Sequence, residues 1–129
     1  MKRSIWITPL LTCGATVALF GCNGGTFEEL QKAPVSLQQS TAKPRSQVAD
    51  CVVASLSRFG SDLGNFPDIE QGLTRLTLGG NDGYAYRNYY QIDITDQARG
   101  ARIAVRHSKA KDGQLSETDL HDIVIGCAK

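Results

Sequence analysis

Two segments, one starting at Ser46 and the other running to Cys127, carry the apolar repeat of a helix, and each places a cysteine on its apolar face. In SQVADCVVASLSRFG, residues 46–60, the apolar positions are Val48, Cys51, Val52, Leu56 and Phe59. That spacing of three and four lines one side of a helix. Ser46 suits the N-cap and Gly60 the stop. The second segment is marked more fully. Ser116, with Asp119 three residues on, approximates a capping box, and Leu115 and Leu120 stand where a hydrophobic staple would close. Leu120, Ile123, Val124 and Cys127 then follow at helical spacing. Both sulfurs therefore point into whatever core the two helices share.

Between these helices the period changes to two. LTRLTL, residues 73–78, reads as a short strand, and GGNDG, residues 79–83, as a turn. Tyr84, Tyr86, Tyr90, Ile92 and Ile94 share even parity, which lines one face of an extended chain. QARG, residues 97–100, turns the chain back, and Ile103 and Val105 alternate with Arg102 and Arg106. Placing Ile94 opposite Ile103 keeps apolar residues on one face and brings Asp93 near Arg102 and Arg106 on the other. SDLGNFPDIEQG, residues 61–72, reads as a loop from its Gly, Asn and Pro content. The expectation is a two-layer α+β domain over residues 46–129. Its order is helix, three-stranded antiparallel meander, helix, with both helices on one sheet face.

The amino-terminal segment has a different character. Lys2 and Arg3 precede an uncharged apolar run, Ile5–Phe20, which ends at Gly21-Cys22. A positive start, an apolar middle and a small residue before a junction form a secretory signal. The run is shorter than the roughly 20 residues of a spanning helix, and Pro9 and Gly14 weaken it further. From Asn23 to Arg45 the chain shows little apolar periodicity and holds Pro34 and Pro44. With Cys22 it reads as a flexible tether, residues 22–45, spanning roughly 25–30 Å as a coil.

Leu19-Phe20-Gly21-Cys22 resembles the lipobox of bacterial lipoproteins, with Phe20 standing where a small residue is usual. The resemblance implies removal of residues 1–21, a diacylglyceryl group on the Cys22 thiol and acylation of its new amino group. More than one acyl chain is what stable anchoring requires. In lipoproteins of the Gram-negative kind, Asn23 rather than aspartate implies the outer membrane, facing the periplasm. An uncleaved anchor and a plain secretory peptide are the alternatives for these residues. The resemblance also sorts the four cysteines. Cys13 leaves with the signal and Cys22 takes the lipid, so Cys51 and Cys127 remain as the expected disulfide in an oxidising compartment. Such a bridge closes a loop of about 77 residues, for up to ~4.5 kcal/mol in the chain-entropy model.

The remaining sequence excludes more chemistry than it suggests. The formal charge of +1 becomes −1 without Lys2 and Arg3, and no Lys/Arg block is present, so nucleic acid is not an expected partner. No CxxC occurs and there are two histidines, which argues against zinc or dithiol redox chemistry; no cofactor or metal is expected. DLHD, residues 119–122, groups His121 with Asp119 and Asp122, but capping and a solvated helix face account for them. No nucleophile motif or phosphate-binding glycine loop is present, so an enzyme is not the leading expectation. YAYRNYY, residues 84–90, has the Tyr and Arg content of an interface, although its even-parity tyrosines point to core packing. Arg87 and Tyr89 fall on the other parity and are expected to be exposed. With Arg102 and Arg106 they form a candidate partner surface. Two classes remain. One is a membrane-anchored, non-catalytic interaction or accessory module with an envelope protein as partner. The alternative is an inhibitor or immunity-type protein that blocks an envelope hydrolase or toxin with the 62–72 loop.

Overall fold

A computed structural model describes residues 24–129; the signal segment and Cys22 lie outside the described residues. The helices are α1 (Phe27–Lys32), α2 (Arg45–Leu56) and α3 (Glu117–Ala128). The strands are β1 (Val35–Thr41), β2 (Asp62–Asp68), β3 (Leu73–Asn81), β4 (Tyr86–Gln97) and β5 (Gly100–His107). All five form one antiparallel sheet in the order β1-β5-β4-β3-β2.

This architecture corrects the expected helix, three-stranded meander, helix. From Gly24 onward the segment read as a tether is part of the domain, supplying α1 and an edge strand. The segment read as a loop supplies β2, the other edge. Both misreadings have one cause. An edge strand with one solvated face needs few apolar residues, so VSLQQST and DLGNFPD carry little of the pattern that marks a central strand. Pro67 is tolerated in β2 because an edge strand pairs on one side only.

Helices α2 and α3 lie on one face of the sheet. Leu76, Leu78, Ile92, Ile94, Ile103 and Val105 from the strands, and Val48, Val52, Leu120 and Val124 from the helices, are completely buried between them. Cys51 and Cys127 are joined in a disulfide with their Cα atoms 5.7 Å apart. At the start of α3 the Ser116 hydroxyl accepts from the Asp119 amide at 3.1 Å, and Leu115 and Leu120 are fully buried. Helix α2 starts one residue before Ser46; Pro44 is its cap and gives no side-chain bond. Ile94 lies opposite Ile103 and Gln97 opposite Gly100, whose φ of +103° closes the turn.

The other sheet face is half covered by α1, whose Leu30 is fully buried. The Gln31 amide donates to Gln91 of β4, and Arg106 Nε of β5 donates to the Ala33 carbonyl at 3.1 Å. Where β5 ends, the Gly24-Gly25 segment takes its place beside β4: Asn88 N donates to the Gly25 carbonyl at 2.7 Å.

One irregularity decides where the tyrosines point. Leu78 pairs with Tyr90 but Gly79 pairs with Asn88, so Tyr89 is an extra residue in β4. A bulge of this kind flips the alternation on its far side. Tyr90, Ile92 and Ile94 face the helices as the parity requires, whereas Tyr84 and Tyr86 do not.

Candidate functional site

The bulge reverses the expected roles within YAYRNYY. Tyr84, at the β3–β4 turn, is 96% exposed, and Tyr86 is 52% exposed. Tyr89 packs against the core instead, and burial pushes its hydroxyl pKa up. The Arg87 side chain is only 14% exposed. It donates to Asp82 Oδ2 at 2.7 Å and to the Gly24 carbonyl at 3.3 Å. Arg87 and Tyr89 are therefore structural, not the open surface that parity predicted. Tyr90 is buried, donates to the Leu115 carbonyl at 2.9 Å and stacks on His107 with ring centres 4.9 Å apart. Burial raises its pKa to about 12.

Arg102 and Arg106 also part company. Arg102 is exposed on β5. Arg106 is drawn into a network on the outer face, centred on Asp93 of β4. Asp93 accepts from Arg75 Nε at 2.7 Å and Nη2 at 3.0 Å, from Gln91 at 2.9 Å and from Arg106 at 3.4 Å. Arg75 stands directly across from Asp93 on β3, which permits the two-pronged contact. That contact outweighs burial and raises the Arg75 pKa. Gln91 is completely buried under α1, so the network closes the β4–β5 half of this face.

The β2–β3 half is open and aromatic. Phe66 of β2, opposite Arg75, is 60% exposed. Its ring lies against Gly64, where an added Cβ would come within 2.6 Å of the ring. Tyr86 lies over Gly79 in the same way, its hydroxyl 2.5 Å from an added Cβ. Glycine at these two outward positions lets the rings lie flat on the sheet. Phe27, in the first turn of α1, is also half exposed, but α1 packs over β4 and β5 and not over this half. The tyrosine cluster stands out in the sequence, whereas Phe66 is missed because its segment reads as a loop. An F-P pair two residues after a glycine was the available signal, since alternation across Asn65 and Pro67 puts Gly64 and Phe66 on one side.

A second cluster joins the sheet edge to α3. His107 Nδ1 lies 2.9 Å from Glu117 Oε2, and His121 Nε2 lies 3.6 Å from Glu117 Oε1 and 3.1 Å from the Ser36 hydroxyl. Serine, histidine and carboxylate do not form a relay here. A relay needs the carboxylate on the imidazole nitrogen opposite the hydroxyl, whereas Ser36 and Glu117 share Nε2. Ser36 also donates to the Val105 carbonyl at 3.3 Å. Glu117 thus fastens the start of α3 to β5. Asp119 serves the cap and Asp122 is exposed, so DLHD does not converge.

Among the described residues, no group of three or more His, Cys, Asp or Glu side chains is placed to hold a metal ion. No helix among them is long and apolar enough to cross a membrane. Compared with known proteins, the chain matches no family model, no curated protein and no solved structure.

Proposed function

We propose that the protein is a lipid-anchored envelope lipoprotein working as a non-catalytic interaction module, held at the outer membrane and facing the periplasm. The observation that carries the interaction role is the open half of the outer face. Phe66 and Tyr86 are both more than half exposed there, and Arg75, whose charge is already met by Asp93, stands across from Phe66. Aromatic residues with a neutralised arginine at their border are the composition of a protein-binding patch. The lipid anchor rests on the Lys2-Arg3 start, the Ile5–Phe20 run and the LFGC junction. The Cys51–Cys127 disulfide supports an exported location, because such bonds persist in oxidising compartments. The segment assigned to the inhibitor alternative as a plugging loop is strand β2 and the turn that follows it.

A photo-crosslinking amino acid placed at Phe66, at Tyr86 and at Arg102 tests this reading in cells. Discrete adducts from the first two positions and none from Arg102 are expected. Adducts of equal yield at all three, or none at Phe66 and Tyr86, contradict it.

A further inference from the structure

The first described residues are not free. The Gly24 carbonyl accepts from Arg87 at 3.3 Å, and the Gly25 carbonyl accepts from Asn88 N and from its side-chain amide at 3.2 Å. Gly25 N donates to Glu29 Oε2 at 2.6 Å, while Glu29 Oε1 accepts from Lys109 N at 2.8 Å. These bonds seat Gly24 and Gly25 at one end of the sheet, between the β3–β4 turn and the loop after β5. Cys22 precedes Gly24 by two residues, a reach of at most ~7 Å. From this geometry we infer that the end of the sheet carrying Tyr84, Lys109 and Lys111 lies against the lipid headgroups, with Tyr84 as an interfacial anchor. The inference rests on the lipid-anchor reading of Cys22 and adds to it an orientation and a contact surface.

The turn at this end is built to hold a ring outward. Asp82 Oδ1 accepts from the Tyr84 and Ala85 amides, each at 2.9 Å, and Asn81 Oδ1 accepts from Gly83 N at 2.8 Å. Asp82 Oδ2 is met by Arg87, the same side chain that grips Gly24. The tip of the turn is thereby tied rigidly to the residue that leads to the anchor. Tyr84 has no core role, being 96% exposed, and a tyrosine ring with its polar tip is suited to the headgroup layer. The one carboxylate in the turn already has its arginine. At the other end of the sheet lie the Asp68–Gly72 turn with Ile69, the 97–100 turn and Lys129 at the close of α3. Nine residues of β3 put that end roughly 30 Å farther out. The aromatic face then stands beside the bilayer rather than under it.

The test uses the full-length, lipid-processed protein in vesicles of phosphatidylcholine and phosphatidylglycerol in equal parts. The sole tryptophan, Trp6, falls in the removed signal, so Tyr84→Trp and Ile69→Trp each introduce a single reporter. Co-flotation with the vesicles reads the anchor separately. With flotation intact, emission from Tyr84→Trp should shift to the blue and be quenched by brominated lipid, while Ile69→Trp is unaffected. In the unsubstituted protein, Lys109 and Lys111 should lose reactivity toward an acetylating reagent on vesicles, while Lys129 keeps it. Flotation with equal quenching at both sites, no quenching at either, or no lysine protection overturns the orientation and leaves the anchor standing. Failure to float, with Cys22 unacylated, overturns the anchor and the orientation together.

Discussion

Replacing Leu30 with alanine tests whether the amino-terminal segment is part of the folded domain. Leu30 is the one fully buried side chain of α1, and it sits on the opposite sheet face from the main core. The substitution removes three methylene-sized groups at ~0.8 kcal/mol each, so about 2 kcal/mol of transfer free energy is lost before any cavity term. A helix of six residues has no independent stability. Its remaining ties are the Gln31–Gln91 amide pair, the Arg106–Ala33 bond and the Glu29 contacts. Each of these is worth about 1 kcal/mol net. The loss should therefore appear first as local detachment of α1, with Gln91 taking water in place of Gln31. Amide hydrogen exchange measures this residue by residue. Leu30 N, bonded to Thr26, and Asn88 N, bonded to Gly25, should exchange faster, while the amides of Ile92 and Ile103 keep their protection. Unchanged exchange at Leu30 and Asn88 would refute the docking of α1, and so would an equal loss of protection across the whole sheet.

Three further outcomes follow from the geometry. Cys127→Ser should lower the unfolding free energy by about 2–5 kcal/mol, and adding Cys51→Ser should cost little more, because the first change already opens the bridge; denaturant titration of both reads this directly. Asp82 is held down to about 2, first by Arg87 and then by the Ala85 and Tyr84 amides. A depressed carboxyl stabilises the turn at pH above its ordinary value near 3.9, and the effect is lost as pH falls toward about 2. NMR titration of its carboxyl carbon should find the low midpoint, and an ordinary midpoint would contradict the turn geometry. Gly100→Ala would set a Cβ 1.9 Å from the Thr41 carbonyl oxygen at a φ of +103°. It should therefore destabilise by more than about 2 kcal/mol in thermal unfolding, whereas Gly113→Ala, with nothing within 4 Å, should not.

Where residues carry a strong local pattern, sequence and structure agree in detail. Ile94 and Ile103 sit opposite each other, Ser116 caps Asp119, and the two helical cysteines meet. The edges of the sheet were beyond that kind of reading. β1 contributes a buried Thr41 and a partly buried Leu37, and β2 is interrupted by Gly64 and Pro67. Their pairing with β5 and β3 is a tertiary fact with almost no local trace. The candidate surface was missed for a more specific reason. One extra residue, Tyr89, reverses every side chain before it, so the parity that correctly buries Tyr90 puts Tyr86 on the wrong face. Arg87 looked free because its partners, Asp82 and the Gly24 carbonyl, come from a turn and from a segment read as a tether.

The most direct test of the proposed function is the intact mass of the protein extracted in detergent from the cell envelope and alkylated without reductant. A chain beginning at Cys22, carrying acyl chains on that residue and resisting alkylation at Cys51 and Cys127, is the expected result. A chain that begins elsewhere, or an unacylated Cys22, would contradict it.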